Sequence, residues 1–347
     1  MTGSMAEPRR LAELTTLRVG GPAVDAVEAT EESVLVEAVA AADAEGVPVL
    51  VVAGGSNLLV ADEHLPHRLV LVRTRGIHVE ADMCGGAYVR VAAGEDWDAL
   101  VARAVQSGWV GIEALAGIPG SVGATPVQNV GAYGQEVAQT IATVRTWDRV
   151  ERRQRTFANG DCGFGYRTSR FKSEPGRFLV LEVTFQLPLG DLGAPLSYPQ
   201  LARALGAETG QRRPLIQVRN AVLALRADKG MVLDPDDHDT WSAGSFFTNP
   251  LLSYDDADRL PPDAPRWPTD DGRVKTSAAW LIEHAGFSRG HGTGRARIST
   301  KHTLALTNRG AATSADLLEL AREVRDGVRA EFGVDLVNEP VLVNCSL

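Results

Sequence analysis

From Ala114 to Gln135 the chain carries no Asp, Glu, Lys, Arg or His, while Gly and Pro interrupt it repeatedly. In a chain with 23% charged residues, a bare stretch of this length constrains the fold strongly. It is too broken by Gly and Pro for a membrane helix, so its backbone is expected to be buried against something. Within it, Gly117-Ile118-Pro119-Gly120-Ser121-Val122-Gly123 forms a Gly-rich loop, followed by Gln128-Asn129-Val130-Gly131-Ala132-Tyr133-Gly134. A second such turn, Gly54-Gly55-Ser56-Asn57, directly follows the apolar run Val47–Val52. Loops of this kind bring backbone close to a ligand and aim N–H groups at phosphate. The Gly54 turn is neither a P-loop nor a GxGxxG dinucleotide fingerprint, and alone it reads more readily as an ordinary tight turn. Two uncharged Gly-rich loops together fit a diphosphate held by main-chain donors, with amides nearby to bond a heterocycle.

The length of 347 residues predicts two to three domains, and 44% hydrophobic residues suffice for a full core. A formal net charge of −9 argues against general nucleic-acid binding but not against small anions. Between Asp161 and Glu174 the only charges are Arg167, Arg170 and Lys172. From His284 to Ala315 there is no acid, only Arg289, Arg295, Arg297, Lys301 and Arg309 among the full charges. These segments either concentrate anionic ligands or form solvated basic faces. Cys84, Cys162 and Cys345 are few, odd in number and without CxxC spacing, which predicts reduced thiols and no metal site. The N-terminus lacks an apolar leader core and no apolar run is long enough to span a bilayer. A cytoplasmic protein without nucleic-acid or membrane partners is expected.

Helix and strand signals alternate in the first third. Thr30 reads as the N-cap of a helix through Val34–Ala44 that Gly46 closes, and strands are expected at Leu69–Val72, Ile77–Glu80 and Ala87–Ala92. A helix from Asp96 to Ser107 stops at Gly108. Residues 190–210 read as loop, Asp234–Asp239 as an acidic turn, and Thr313–Asp316 as a capping box opening a helix over Ala315–Phe332 that Gly333 ends. The pattern predicts an α/β (α+β) fold with the strand pairing sense open.

Six motifs in order carry a resemblance: Thr16-Leu17-Arg18-Val19-Gly20-Gly21, Gly54–Leu59, Gly117–Gly134, Phe164–Ser169, Gly244-Ser245-Phe246-Phe247-Thr248-Asn249-Pro250 and Asn338-Glu339-Pro340. In these the chain resembles the UDP-N-acetylenolpyruvoylglucosamine reductase family over nearly its whole length. The resemblance implies a vanillyl-alcohol-oxidase-type FAD-binding fold over 16–190. A connecting segment with a substrate-closing loop (191–239), a smaller α+β substrate-binding domain (240–335) and a C-terminal segment (336–347) returning Glu339 to the active site would follow. It also implies non-covalent FAD, NADPH as hydride donor, and reduction of the enolpyruvyl ether of UDP-N-acetylglucosamine to UDP-N-acetylmuramate in peptidoglycan precursor synthesis, by a monomer.

The chemistry sets what such a site must contain. Hydride adds at the terminal methylene carbon of the polarised double bond, charge builds as an enolate, and the adjacent carbon is then protonated. A reduced flavin can deliver the hydride and no side chain can. A cation near the enolate and a proton donor are needed. Carried over by motif, Arg167 and Glu339 would stabilise the enol intermediate and Ser245 would donate the proton. Gly54, Gly55, Ser56, Asn57, Leu58, Gly117, Ile118, Pro119, Gly120, Ser121, Gly123, Gln128, Asn129, Gly131 and Ala132 would hold FAD. Tyr133, Tyr166, Tyr198, Lys229 and Asn249 would bind substrate, with Tyr198 on the tyrosine-bearing loop of one family subtype. The chain departs from that subtype in a longer link from Lys229 to Asp234-Pro235, in Thr248, and in the basic run Ser299–His302. Each residue alone has a plainer reading, as an ion pair, turn hydroxyl or core side chain. A flavin oxidase on the same fold and a non-catalytic nucleotide-binding module are the competing functions.

Overall fold

The computed structural model describes residues 9–82, 85–269 and 271–347, so Cys84 and most of the N-terminal segment lie outside the described residues. The chain divides into two compact units. One unit gathers Met1–Ala23, Gly55–Leu65 and Asp228–Leu347; the other gathers Val24–Gly54 and Pro66–Ala227. The reason is strand pairing over long sequence distance: Leu58–Val60 pairs in parallel with Val341–Val343, drawing an early segment into the C-terminal core.

The second of these units holds a three-stranded sheet, in the order Ala23–Ala29, Leu65–Val72, Val49–Val52, and a five-stranded sheet. Val49–Val52 runs parallel to Leu65–Val72, and the helix Glu32–Glu45 connects Ala23–Ala29 to Val49–Val52. The five-stranded sheet is antiparallel, in the order Arg153–Ala158, Ile141–Asp148, Phe178–Leu187, Gly86–Ala92, Ile77–Asp82. The helix Trp97–Gln106 buries Trp97, Leu100, Val101 and Ala104, and the Asp96 carboxylate caps it by accepting from the Ala99 N–H. Glu31, not Thr30, is the N-cap of Glu32–Glu45, with no side-chain cap bond, because Thr30 directly follows the strand Ala23–Ala29. Gly46 takes the left-handed C-terminal position as expected, at φ 71°. Residues 190–210 are not all loop: Pro199–Ala204 is helical, with Pro at its first turn and Leu201 and Ala202 buried.

The other unit packs the helices Ala278–His284 and Ser314–Phe332 around a core containing Phe246, Phe247, Leu281, Ile298, Leu317 and Val324. Thr313 and Asp316 form the capping box, and Gly333 ends the helix at φ 68°. Among the described residues, no helix is long and apolar enough to cross a membrane.

Candidate active site

In the unit holding the five-stranded sheet, the two Gly-rich loops meet at Gly54 and Gly120. A β-carbon on Gly54 would lie 2.7 Å from the Gly120 Cα, so the backbones touch where any side chain would intrude. The Gly117–Gly123 loop is laid along residues 93–97. Trp97 N–H donates to the Gly120 carbonyl, while Val122 and Gly123 N–H donate to the Glu95 and Ala93 carbonyls at 2.9 Å each. Asp98, on the same helix as Trp97, accepts from Gly117 N–H at 2.7 Å and from Arg219 at 2.8 Å. Ser121 is buried, and its hydroxyl finds no hydrogen-bond partner. A buried polar atom costs stability unless paired, which makes this hydroxyl, without a partner among the described residues, a candidate ligand contact.

The uncharged stretch is buried or half-buried except at Ala124 and Gly134, and the two acids bracketing it are turned onto it. Glu136 accepts from Asn129 Nδ2 at 2.8 Å. Glu113 is almost wholly buried and accepts from Gly111 N–H at 2.7 Å and Gln135 Nε2 at 2.9 Å. Asn129, itself buried at φ 47°, also donates to the Gly165 carbonyl and accepts from Ala138 N–H. Its side chain therefore serves the scaffold, leaving its backbone for any cofactor contact.

Arg167 sits in a turn closed by reciprocal Gly165–Thr168 backbone bonds, at φ 52°. A left-handed conformation is costly for a residue with a β-carbon. It persists because the turn is overdetermined: Arg167 Nη2 donates to the Gly131 carbonyl at 2.8 Å, Lys172 Nζ donates to the Arg167 carbonyl, and Ser169 Oγ donates to the Val127 carbonyl at 2.6 Å. Strain held this firmly makes Arg167 a candidate functional residue. Tyr166 lies beside the Arg167 guanidinium, 5.6 Å from it to the ring centre. Tyr133, also left-handed, meets Tyr198 edge-on at 5.5 Å, and burial raises its phenol pKa.

The other unit assembles Gly55, Ser56, Asn57, Leu58, Ser245, Asn249 and Glu339. Gly55, at φ 60°, packs so tightly on Leu14 that a β-carbon would collide with the Leu14 carbonyl. Glu339 N–H donates to the Phe246 carbonyl at 2.8 Å, Asn57 Nδ2 donates to the Glu339 carbonyl at 3.4 Å, and Val341 N–H donates to the Asn57 carbonyl at 2.9 Å. Three motifs distant in sequence are thus one hydrogen-bonded strip. Phe246 and Phe247 are buried, and Ser245 between Gly244 and this pair is half-buried, its hydroxyl without a partner among the described residues. Asn249 Oδ1 accepts from Ala278 N–H at the start of the helix Ala278–His284, so this side chain is at least partly a helix cap. Lys229 directly follows the helix Leu215–Asp228, and Gly230 after it packs on the Asp239 carbonyl.

The cationic segments are less open than their composition suggests. Lys301 pairs with Asp237 at 2.6 Å and Arg309 with Asp239 at 2.9 Å, so the acidic turn neutralises part of the basic run. Arg170 pairs with Glu174. Cys162 and Cys345 are free thiols, and burial pushes Cys162 up to about 12, which makes it unreactive. Sequence reasoning missed Asp98 and Glu113. The signal for Glu113 was its position as the last charge before the bare stretch; nothing in the sequence pairs Asp98 with Arg219.

Residues 25–153 match the FAD-binding domain family, and 234–343 match the family described as UDP-N-acetylenolpyruvoylglucosamine reductase, C-terminal domain. A UDP-N-acetylenolpyruvoylglucosamine reductase of Cutibacterium acnes is 56% identical over 340 residues, covering 97% of this chain and 90% of the relative. One from Thermobifida fusca is 52% identical over the full length of both. The crystal structure of the Thermus caldophilus reductase is 28% identical, with a TM-score of 0.63 over 97% of this chain and 98% of that one. With the expected FAD-binding fold in place and identity above one half across nearly its whole length, the chain belongs to the UDP-N-acetylenolpyruvoylglucosamine reductase family, FAD-dependent oxidoreductases of peptidoglycan precursor synthesis.

Proposed function

We propose that this chain reduces the enolpyruvyl ether of UDP-N-acetylglucosamine to UDP-N-acetylmuramate, with NADPH as hydride donor, Ser245 as proton donor, and Arg167 and Glu339 stabilising the enolate. The observation that carries it is the strip joining Ser245-Phe246, Glu339 and Asn57 through backbone bonds. Chance similarity would not bring three separately matched motifs into mutual contact.

The residues fit FAD: the Gly54–Gly120 contact leaves backbone bare, and the Ser121 hydroxyl needs a partner. Bound there, FAD supplies the hydride-transfer chemistry that side chains lack. The Gly117–Gly123 loop and Gly131-Ala132 present main-chain groups to the cofactor, with Ile118, Pro119, Gln128 and Asn129 shaping the loop. In the other unit, Gly55–Leu58 extends the same role. Arg167, fixed by Gly131, offers a preorganised cation, which stabilises developing charge without reorganising at the moment of reaction. Ser245 holds a hydroxyl proton ready for the substrate carbon. Tyr133, Tyr166, Tyr198, Lys229 and Asn249 bind the nucleotide sugar.

The test is anaerobic. NADPH should bleach the yellow protein, and the enolpyruvyl nucleotide should restore the colour with formation of UDP-N-acetylmuramate. Recovery of colour only on admitting oxygen would favour an oxidase and sink the reading.

A further inference from the structure

Residues 193–198, which lead to Tyr198, are held in two different ways. At the root, the Ala194 N–H donates to Glu113 Oε1 at 2.7 Å, and Gly193 packs so closely that a β-carbon there would lie 2.7 Å from the same oxygen. Gly193 N–H also donates to the Arg213 carbonyl, and Leu196 N–H to the Gln211 carbonyl. At the tip, Ser197 Oγ donates to the Gly134 carbonyl at 3.4 Å and sits so close that a β-carbon on Gly134 would collide with it, while the half-exposed Tyr198 ring rests edge-on against Tyr133. The root is held through Glu113, and the exposed tip rests on Gly134 and Tyr133.

Glu113 is the fixed point. Three donors from three segments converge on its two oxygens: Gly111 N–H, Gln135 Nε2 and Ala194 N–H. Gln135 in turn accepts from Ala114 N–H, so its amide is oriented by the bare stretch. Only a group that accepts at both oxygens satisfies this set; an amide in its place would turn an NH₂ toward a backbone N–H. The carboxylate therefore ties the entry of the uncharged stretch and the residue after Tyr133-Gly134 to the root of the tyrosine loop. We infer that Glu113 is a positioning residue that sets the placement of Tyr198 over Tyr133, and thereby the binding of the nucleotide substrate, without touching substrate or cofactor itself. The inference rests on the proposed function for its substrate.

Glu113→Gln keeps the shape and removes one acceptor, and Gly193→Ala pushes the root off the carboxylate from the other side. Both variants should retain FAD and be reduced by NADPH at the wild-type rate. The KM for the enolpyruvyl nucleotide should rise by about 10-fold or more, the scale of one unsatisfied buried N–H, with kcat changed far less. Limited trypsin cleavage at the exposed Arg203 and Arg212, read on the FAD-loaded protein without substrate, should speed up in both. Unchanged KM and cleavage in both folded variants overturn the inference. Loss of flavin, or an equal slowing of the NADPH step, overturns it too, because Glu113 would then serve the cofactor loop. Faster cleavage in the variants beside a wild type that ignores the enolpyruvyl nucleotide would uphold the anchor and defeat the functional reading instead.

Discussion

Arg167, proposed here as the cation at the enolate, is held in place at several points. Its left-handed backbone, its Nη2 bond to the Gly131 carbonyl and the Lys172 bond to its own carbonyl leave its guanidinium little freedom. In the proposed reaction, charge accumulates on the substrate only after NADPH has reduced the flavin. Arg167→Ala should therefore slow turnover of the enolpyruvyl nucleotide by about 10²–10³-fold, the usual loss for a preorganised charge-stabilising donor, and leave flavin bleaching by NADPH near wild type. Stopped-flow measurement of the two half-reactions checks this; equal loss in both points to a structural role. Ser245 separates them further. Ser245→Ala should slow reoxidation by at least roughly 10²-fold, the lower end for a positioned general acid, and Ser245→Cys should recover part of that rate. If Ala reoxidises as fast as Ser, the proton comes from elsewhere.

At the scale of elements, the proposed cofactor loops are two turns from distant parts of the sequence that touch through glycine. Gly54→Ala would press a β-carbon onto the Gly120 backbone, which cannot yield as a side chain tip can. The purified variant should carry little FAD, measured by the flavin-to-protein absorbance ratio. Ser121→Ala is the gentler probe. Removing the unpartnered hydroxyl should leave the apoprotein as stable as before, or slightly more so, while weakening FAD binding by about 5–10-fold, the net value of one hydrogen bond. Titration of apoprotein with FAD reads this directly, and unchanged affinity would remove Ser121 from the site.

At the scale of the whole molecule, the five-stranded sheet holds the fully buried carboxylate of Asp148. The Arg177 guanidinium bonded to it, followed by the Val150 and Glu151 N–H groups, holds its pKa below the ordinary 3.8. A lowered folded value means that the unfolded chain binds the proton more readily. The contribution to stability is therefore complete above the ordinary value and drains away as pH falls through the folded one. Asp148→Asn should lower Tm by several degrees at pH 7, since about 1 kcal/mol moves Tm by roughly 2–4 °C in larger domains. The gap should narrow as pH falls below about 4. A gap independent of pH would show that the side chain acts by shape alone.

The sequence by itself determined the helix ends at Gly46 and Gly333, the capping box at Thr313, and the mostly buried or half-buried course of the stretch from Ala114 to Gln135, because caps, left-handed glycines and missing charges act over a few residues. It also carried the motifs by which the family is recognised. Only the tertiary structure decided where the chain divides, because strand pairing between Leu58–Val60 and Val341–Val343 depends on contacts almost three hundred residues apart. The same holds for the partners of the charges. Lys301 and Arg309 read as open cations until the fold brought Asp237 and Asp239 to them, and Asp98 and Glu113 had no visible task until Gly117 and Ala194 arrived. Local steric and capping rules are written in neighbouring residues, whereas the partner of a buried charge is chosen by whatever the folded chain places within hydrogen-bonding distance.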